Sequence, residues 1–191
     1  MTENSSGPRD YVTIVSGVPR SGTSMMVRML AAGGLPILTD GIRSPDDDNP
    51  HGYFEWEKVK SLKQDSTWVA DAVGKGVKVI YHWIYDLPLA YRYRAIFLRR
   101  ELNEVLASQA AMLRRRGKGA ADADDATMKR LFEDDLREIN TWLAGQTSFS
   151  VLDVDYAAVL ASPLDQAARA AAFLGGNLDI EAMAGTVDPA L

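Results

Sequence analysis

Strand-like and helix-like segments alternate along the 191 residues of this chain, and that alternation predicts an α/β domain. The layers expected are a parallel sheet with helices on both faces, joined by right-handed crossovers. Two further observations point the same way. Val12, Ile14, Val15 and Val18 give the stretch 12–18 the apolar character of a strand buried on both faces. It leads through a turn rich in Gly, Pro, Ser and Thr into a helix-compatible segment, as ligand loops of open α/β sheets do.

Taken in order, Tyr11–Gly17 is the first expected strand, Thr23–Ala32 the first helix and Leu35–Leu38 a short second strand. Thr39–Tyr53 is polar and rich in Asp, Gly and Pro, which predicts a long loop. Its consecutive Asp46, Asp47 and Asp48 lack the alternating spacing of a calcium loop and suggest a solvated turn. Glu55–Asp71 is expected to be helical, Gly76–Tyr81 a strand and Tyr93–Leu98 another. A helix then covers Glu101–Arg115, and its basic end, Arg114–Lys118, complements the helix dipole. Gly117–Asp125 reads as flexible. The apolar spacing of Leu131, Leu136, Ile139 and Leu143 predicts a helix over Thr127–Leu143. Ser148–Val154 is the last strand, and Ser162–Leu174 a helix with Ser162 as cap and Pro163 in its first turn.

Composition narrows the function classes. With 47% apolar residues the chain can bury a real core as one domain, 11–191, behind a loose polar tail, 1–10. A net charge of −5 gives no broad electrostatic case for nucleic acid or an anionic membrane. The absence of cysteine excludes disulfides, thiolate nucleophiles and Cys-based zinc sites. No apolar run approaches transmembrane length, and the N-terminus lacks a signal-peptide core. The expectation is a soluble cytoplasmic protein.

The turn after the first strand is the most informative segment. Gly17 and Gly22 have the spacing of the nucleotide P-loop, but Thr23 stands where that loop carries Lys, and Ser24 follows. The cation lies inside the loop, as Arg20. Backbone N–H groups from Ser21 to Ser24, their hydroxyls and the helix N-terminus can converge on one anion, and Arg20 can bridge two of its oxygens. The loop suits a phosphate-like group, in a P-loop-type three-layer fold.

The string Pro19–Ser24, PRSGTS, resembles the 5′-phosphosulfate loop of sulfotransferases. These enzymes use 3′-phosphoadenosine 5′-phosphosulfate (PAPS). A second stretch, AIFLRRELNEVLASQ, is similar to their 3′-phosphate motif, with Arg100 after a strand and Ser108 eight residues later. Arg99 is the rival for that role. A third similarity is the Asp155–Tyr156 pair after the last strand, followed by a helix closing on Phe173-Leu174-Gly175. The similarities run from Val12 to the C-terminus. The resemblance implies sulfuryl transfer from PAPS to a hydroxyl or amine of a small-molecule or glycan acceptor, without a metal. It implies Arg20, Ser21, Gly22, Thr23, Ser24, Arg100 and Ser108 as donor-binding residues, and Arg20 with the loop N–H groups is expected also to act catalytically by stabilising the leaving phosphate.

Candidates for the proton-accepting base are three. His82 ends the strand-like VKVIYHW, near where many sulfotransferases carry a Lys-Thr-His segment, although Tyr81 precedes it here. A His is suited to general-base work at neutral pH. Asp40 lies near the position of the Glu used by other sulfotransferases. Glu55 closes NPHGYFE, which resembles the Asn-Pro-x-Gly-Tyr runs of small bacterial sulfotransferase-like proteins. Tyr53, Phe54 and Trp56 are candidates to line an acceptor cleft. The Arg-Lys-Gly motif that completes the 3′-phosphate site in many relatives is absent after Asp153. Two other readings compete. One is a P-loop kinase or NTPase, with Asp153 or Asp155 on magnesium; the other is a non-catalytic nucleotide-binding protein of the same fold.

Overall fold

Five parallel strands form one sheet in the order β2-β3-β1-β4-β5 in a computed structural model that describes residues 9–117 and 124–188. Most of the expected N-terminal tail and of the segment expected to be flexible after Gly117 lie outside the described residues. The strands are β1 (Val12–Gly17), β2 (Ile37–Leu38), β3 (Gly76–Lys78), β4 (Tyr93–Arg99) and β5 (Phe149–Asp155). The helices are α1 (Thr23–Ala32), α2 (Leu102–Arg115), α3 (Asp125–Ala144), α4 (Tyr156–Ala161), α5 (Pro163–Phe173) and α6 (Ile180–Gly185). This is the predicted α/β class.

Every residue of β1 is buried, so its apolar run is sheet centre and not an edge. Two cores cover the two faces. On one, Ile14, Val77, Ala95 and Phe97 pack with Leu106, Phe132 and Ile139. On the other, Val15, Ile96 and Val154 pack with Met26, Leu30, Ala170 and Met183. Because β1 lies between β3 and β4, the loop after β1 is flanked at the carboxyl edge by the ends of both strands.

Three local expectations change. The segment expected as one helix over Glu55–Asp71 is two 3-10 helices, Glu57–Ser61 and Thr67–Ala72. The Asp65 carboxylate accepts from both the amide and the hydroxyl of Thr67, offering the chain a turn in place of another helical bond. The strand expected through Tyr81 ends at Lys78, and a 3-10 helix, Tyr81–Asp86, follows. Two short helices, α4 and α6, add to the expected elements. Asp155 caps the first by accepting from Ala158 N–H at 2.8 Å, and Asp179 caps the second from Ala182 at 2.9 Å. Both follow apolar patterns too short for periodicity to register.

Candidate functional site

The loop between β1 and α1 turns sharply. Gly17 has φ 150°, Arg20 φ 70° and Gly22 φ 97°, so three of its residues sit at positive φ. For Arg20 this is a sparsely populated conformation, of the kind held at functional sites by surrounding contacts. A Cβ on Gly22 would come 2.5 Å from Cδ2 of Tyr156, so glycine lets the loop seat on that ring. The N–H of Ser21 donates to Val18 O at 3.2 Å, which closes the turn. The first-turn amides of α1 have no helical carbonyl to reach. The Ser21 hydroxyl is buried without a protein partner.

The structure brings the β1–α1 loop and the Arg100–Ser108 stretch together. Arg20 Nε donates to Ser108 Oγ at 3.0 Å, across 88 residues. Arg100 Nη1 donates to the Arg20 carbonyl at 3.1 Å, and its guanidinium lies 4.2 Å from the centre of the Tyr156 ring. Arg100 is further held by Glu104, one helical turn on, at 3.0 Å. Arg99 points elsewhere: it pairs with Asp153 at 2.7 Å and donates to Asn140. Asp153 and Asp155 are on β5, which β4 separates from the loop-bearing β1, and both are already engaged, with Arg99 and with the α4 amide.

A lysine does stand at the loop. Lys78, the last residue of β3, is buried with its Nζ 3.4 Å from Ser24 Oγ. It also donates to the Tyr53 carbonyl, which accepts from Ser24 Oγ at 3.3 Å. Its pKa is pushed down to about 8, because burial disfavours the charged form more than Glu55 restores it. Sequence spacing did not reveal Lys78, since it is 54 residues from Ser24. The available signal was a charged residue inside the apolar run VKVIY.

The three candidate bases differ in setting. Glu55 Oε1 is 2.8 Å from Arg43 Nη1 and 3.6 Å from Lys78 Nζ, so it stands beside the loop through Lys78. Arg43 stacks 3.3 Å above the Tyr53 ring centre. Both Asp40 oxygens are taken by backbone amides, of Glu57 at 2.6 Å and Ile42 at 3.0 Å. These bonds hold its pKa below the usual carboxylate value. The His82 ring contacts the Tyr81 and Trp83 rings at 5.4 and 4.3 Å. Burial lowers its pKa, against the opposing charges of Asp135 and Asp86. Neighbouring Tyr81 donates its phenol to Asp135 across the gap to α3.

The acidic turn is not simply solvated. The Asp48 side chain is 4% exposed and pairs with Arg115 at 2.6 Å and Arg116 at 3.3 Å. Arg116 also pairs with Asp46 at 3.0 Å. The basic end of α2 therefore holds the loop 39–56, a role beyond the helix dipole; Lys118 lies outside the described residues. Among cleft candidates, Tyr53 is buried, with burial and a hydrogen bond to Asp46 raising its phenol pKa. Trp56 packs edge-on against Trp68 at 4.8 Å.

No protein-family model and no curated protein matches the sequence. Solved structures do match in fold. The sulfotransferase domain of the Synechococcus PCC 7002 olefin synthase aligns over 98% of this chain and 81% of its own, with TM-score 0.53 and 15% identity. Mouse sulfotransferase SULT7A1, solved with PAP, aligns over 96% of this chain with TM-score 0.56 and 17% identity; the chain spans 64% of that protein. The sulfotransferase domain from the curacin biosynthetic pathway aligns over 95% and 84% of the two chains, with TM-score 0.54 and 12% identity. The chain thus has a sulfotransferase-like α/β fold. Among the described residues no helix is long and apolar enough to cross a membrane.

Proposed function

We propose that this chain is a sulfotransferase that moves a sulfuryl group from PAPS to a hydroxyl or amine. The observation that carries the proposal is the 3.0 Å bond between Arg20 and Ser108, with Arg100 donating to the Arg20 carbonyl. It sets the β1–α1 loop beside a second cation, an arrangement that supports a donor with anionic groups at both ends. The buried, partnerless Ser21 hydroxyl, the free amides of the first turn and three nearby cations fit such a ligand. PAPS, when bound, supplies the activated sulfuryl group and a phosphate leaving group.

The chain's own residues have separable tasks. Ser21–Ser24 and Arg20 hold the phosphosulfate end, and Arg100 and Ser108 read the 3′-phosphate. Lys78 donates where negative charge develops on the leaving oxygen; preorganised donors of this kind are worth about 2.7–4 kcal/mol each. Glu55 takes the proton of the acceptor, because of the three candidates it alone is linked by contact to the loop, through Lys78. No metal enters this scheme. The acceptor is a small molecule or glycan, and Tyr53, Arg43 and Trp56 are the residues proposed to line its side of the cleft. A kinase reading has less support, since Asp153 and Asp155 are engaged away from the loop strand.

Thermal unfolding tests the proposal. PAP, without magnesium, should stabilise the protein by about 2.7 kcal/mol at 100 times its Kd. ATP with magnesium should do much less. Equal stabilisation by both would replace the sulfotransferase reading with a generic P-loop one. Labelled PAPS offered with phenols, sugars and amines then finds the acceptor; tight PAP binding with no transfer to any class would favour the non-catalytic alternative.

A further inference from the structure

The loop 39–56 reaches back over the anion loop and satisfies the donors that an anion would need. Arg20 Nη2 donates to the Asp48 carbonyl at 3.3 Å. Ser24 Oγ donates to the Tyr53 carbonyl at 3.3 Å, and the Lys78 ammonium donates to the same oxygen. Two main-chain oxygens of one segment thus occupy a guanidinium, a hydroxyl and an ammonium at a single site. These are three donors of the proposed phosphosulfate site.

The same segment is fastened from outside. Arg115 and Arg116, at the end of α2, grip the Asp48 carboxylate from two directions. Arg116 also reaches Asp46 and the Tyr53 hydroxyl, at 3.0 and 3.3 Å. Asp46 in turn accepts from the Tyr53 hydroxyl and from the amides of Asp48 and Asn49. Each gripped residue is therefore the one whose carbonyl fills the loop, or is bonded to it. The pairing joins residues 67 to 70 positions apart, so it is tertiary and not a local turn preference.

We propose that residues 46–53 form an internal plug of the anion loop, held in place by the Arg115–Arg116 clasp and displaced when an anion binds. The carbonyls of Asp48 and Tyr53 stand in for anionic oxygens, and ligand entry exchanges them for the stronger charge-assisted bonds of a real anion. The inference rests on the loop being an anion site, but not on the anion being PAPS. Its consequence is an affinity reduced by the fraction of molecules in which the plug is open.

Hydrogen exchange on the full chain tests it, with inorganic pyrophosphate and PAP as separate probes. Saturating pyrophosphate should raise exchange at the amides of residues 46–53 while the strand amides stay protected. The variant Arg115→Gln/Arg116→Gln should raise exchange at 46–53 without any ligand, and should tighten pyrophosphate about three- to tenfold. Asp46→Asn/Asp48→Asn should do the same from the other side of the clasp, and guards against a folding defect in the first variant. Unchanged or lowered exchange at 46–53 on pyrophosphate binding overturns the plug. So does weaker pyrophosphate binding by both clasp variants, which would make the segment part of the binding wall. If pyrophosphate displaces the segment and PAP does not bind, the plug stands and the donor assignment fails. If pyrophosphate does not bind at all, both the anion site and its plug fall.

Discussion

The ammonium of Lys78 stands 3.4 Å from the hydroxyl of Ser24, although 54 residues separate them. In the P-loop pattern the lysine precedes that Ser or Thr directly; here β3 delivers one from the neighbouring strand. The register explains the delivery. Lys78 is paired with Val15, two residues before Gly17, so its side chain leaves the sheet where the loop begins.

Replacing Lys78 with Met should lower turnover about 100- to 1,000-fold, the loss expected for one donor at a developing charge. PAP binding should weaken less than turnover. A mutant with normal turnover would remove Lys78 from the mechanism.

The same lysine gives a pH dependence of stability. Its folded pKa, about 8, is below its ordinary value of 10.5. Between these values the unfolded chain binds more protons than the folded one, so the contribution of Lys78 to stability rises with pH. Below about pH 8 both states carry the charge and the cost of burying it is fully present. Wild type should therefore gain stability relative to Lys78→Met from about pH 8 to 10.5, in chemical unfolding. A constant difference across that range would show that Lys78 is not desolvated. Turnover in wild type should fall over the same limb as the ammonium is lost.

Arg100→Ala and Ser108→Ala should each weaken PAP more than adenosine 5′-phosphosulfate, which has no 3′-phosphate. A lost charge-assisted bond is worth about 1.5–3 kcal/mol. Calorimetric titration of both ligands measures the difference, and equal losses would mean that neither residue reads the 3′-phosphate.

Glu55→Gln should cost about 100- to 10,000-fold in turnover while PAP affinity changes little. His82→Ala and Asp40→Asn should retain most of the rate, because neither side chain is in contact with the β1–α1 loop; in the latter the single amide oxygen keeps one of the two bonds from the Ile42 and Glu57 amides. Collapse of turnover in His82→Ala with Glu55→Gln intact would move the base to the histidine.

Gly22→Ala should destabilise the fold by more than about 1 kcal/mol, since alanine disfavours φ 97° and its Cβ would meet Tyr156 at 2.5 Å. Chemical denaturation checks the loss, and a neutral change would show that the loop shifts freely against Tyr156.

The sequence by itself determined what depends on neighbours in the chain. The apolar residues of β1, the glycine spacing of its turn and the helix after it are consecutive, and so is the eight-residue step from Arg100, just after β4, to Ser108 in α2. Those patterns carried the α/β class and marked the two stretches proposed to bind the donor's anionic groups. Helix over Glu55–Asp71 failed because the Asp65 turn competes with helical bonding, a balance that apolar spacing does not register. Only the tertiary structure decided which distant groups meet. The order β2-β3-β1-β4-β5 places the end of β3 beside the loop, which brings Lys78 to Ser24 and Glu55 to Lys78. The packing of loop 39–56 on α2 turned a run of aspartates and a run of arginines, each readable alone as a solvated surface, into a clasp with a buried Asp48. The physical reason is range. Backbone propensity and periodicity act over a few residues, whereas an ion pair and the burial of its charges exist only after the sheet has joined segments dozens of residues apart.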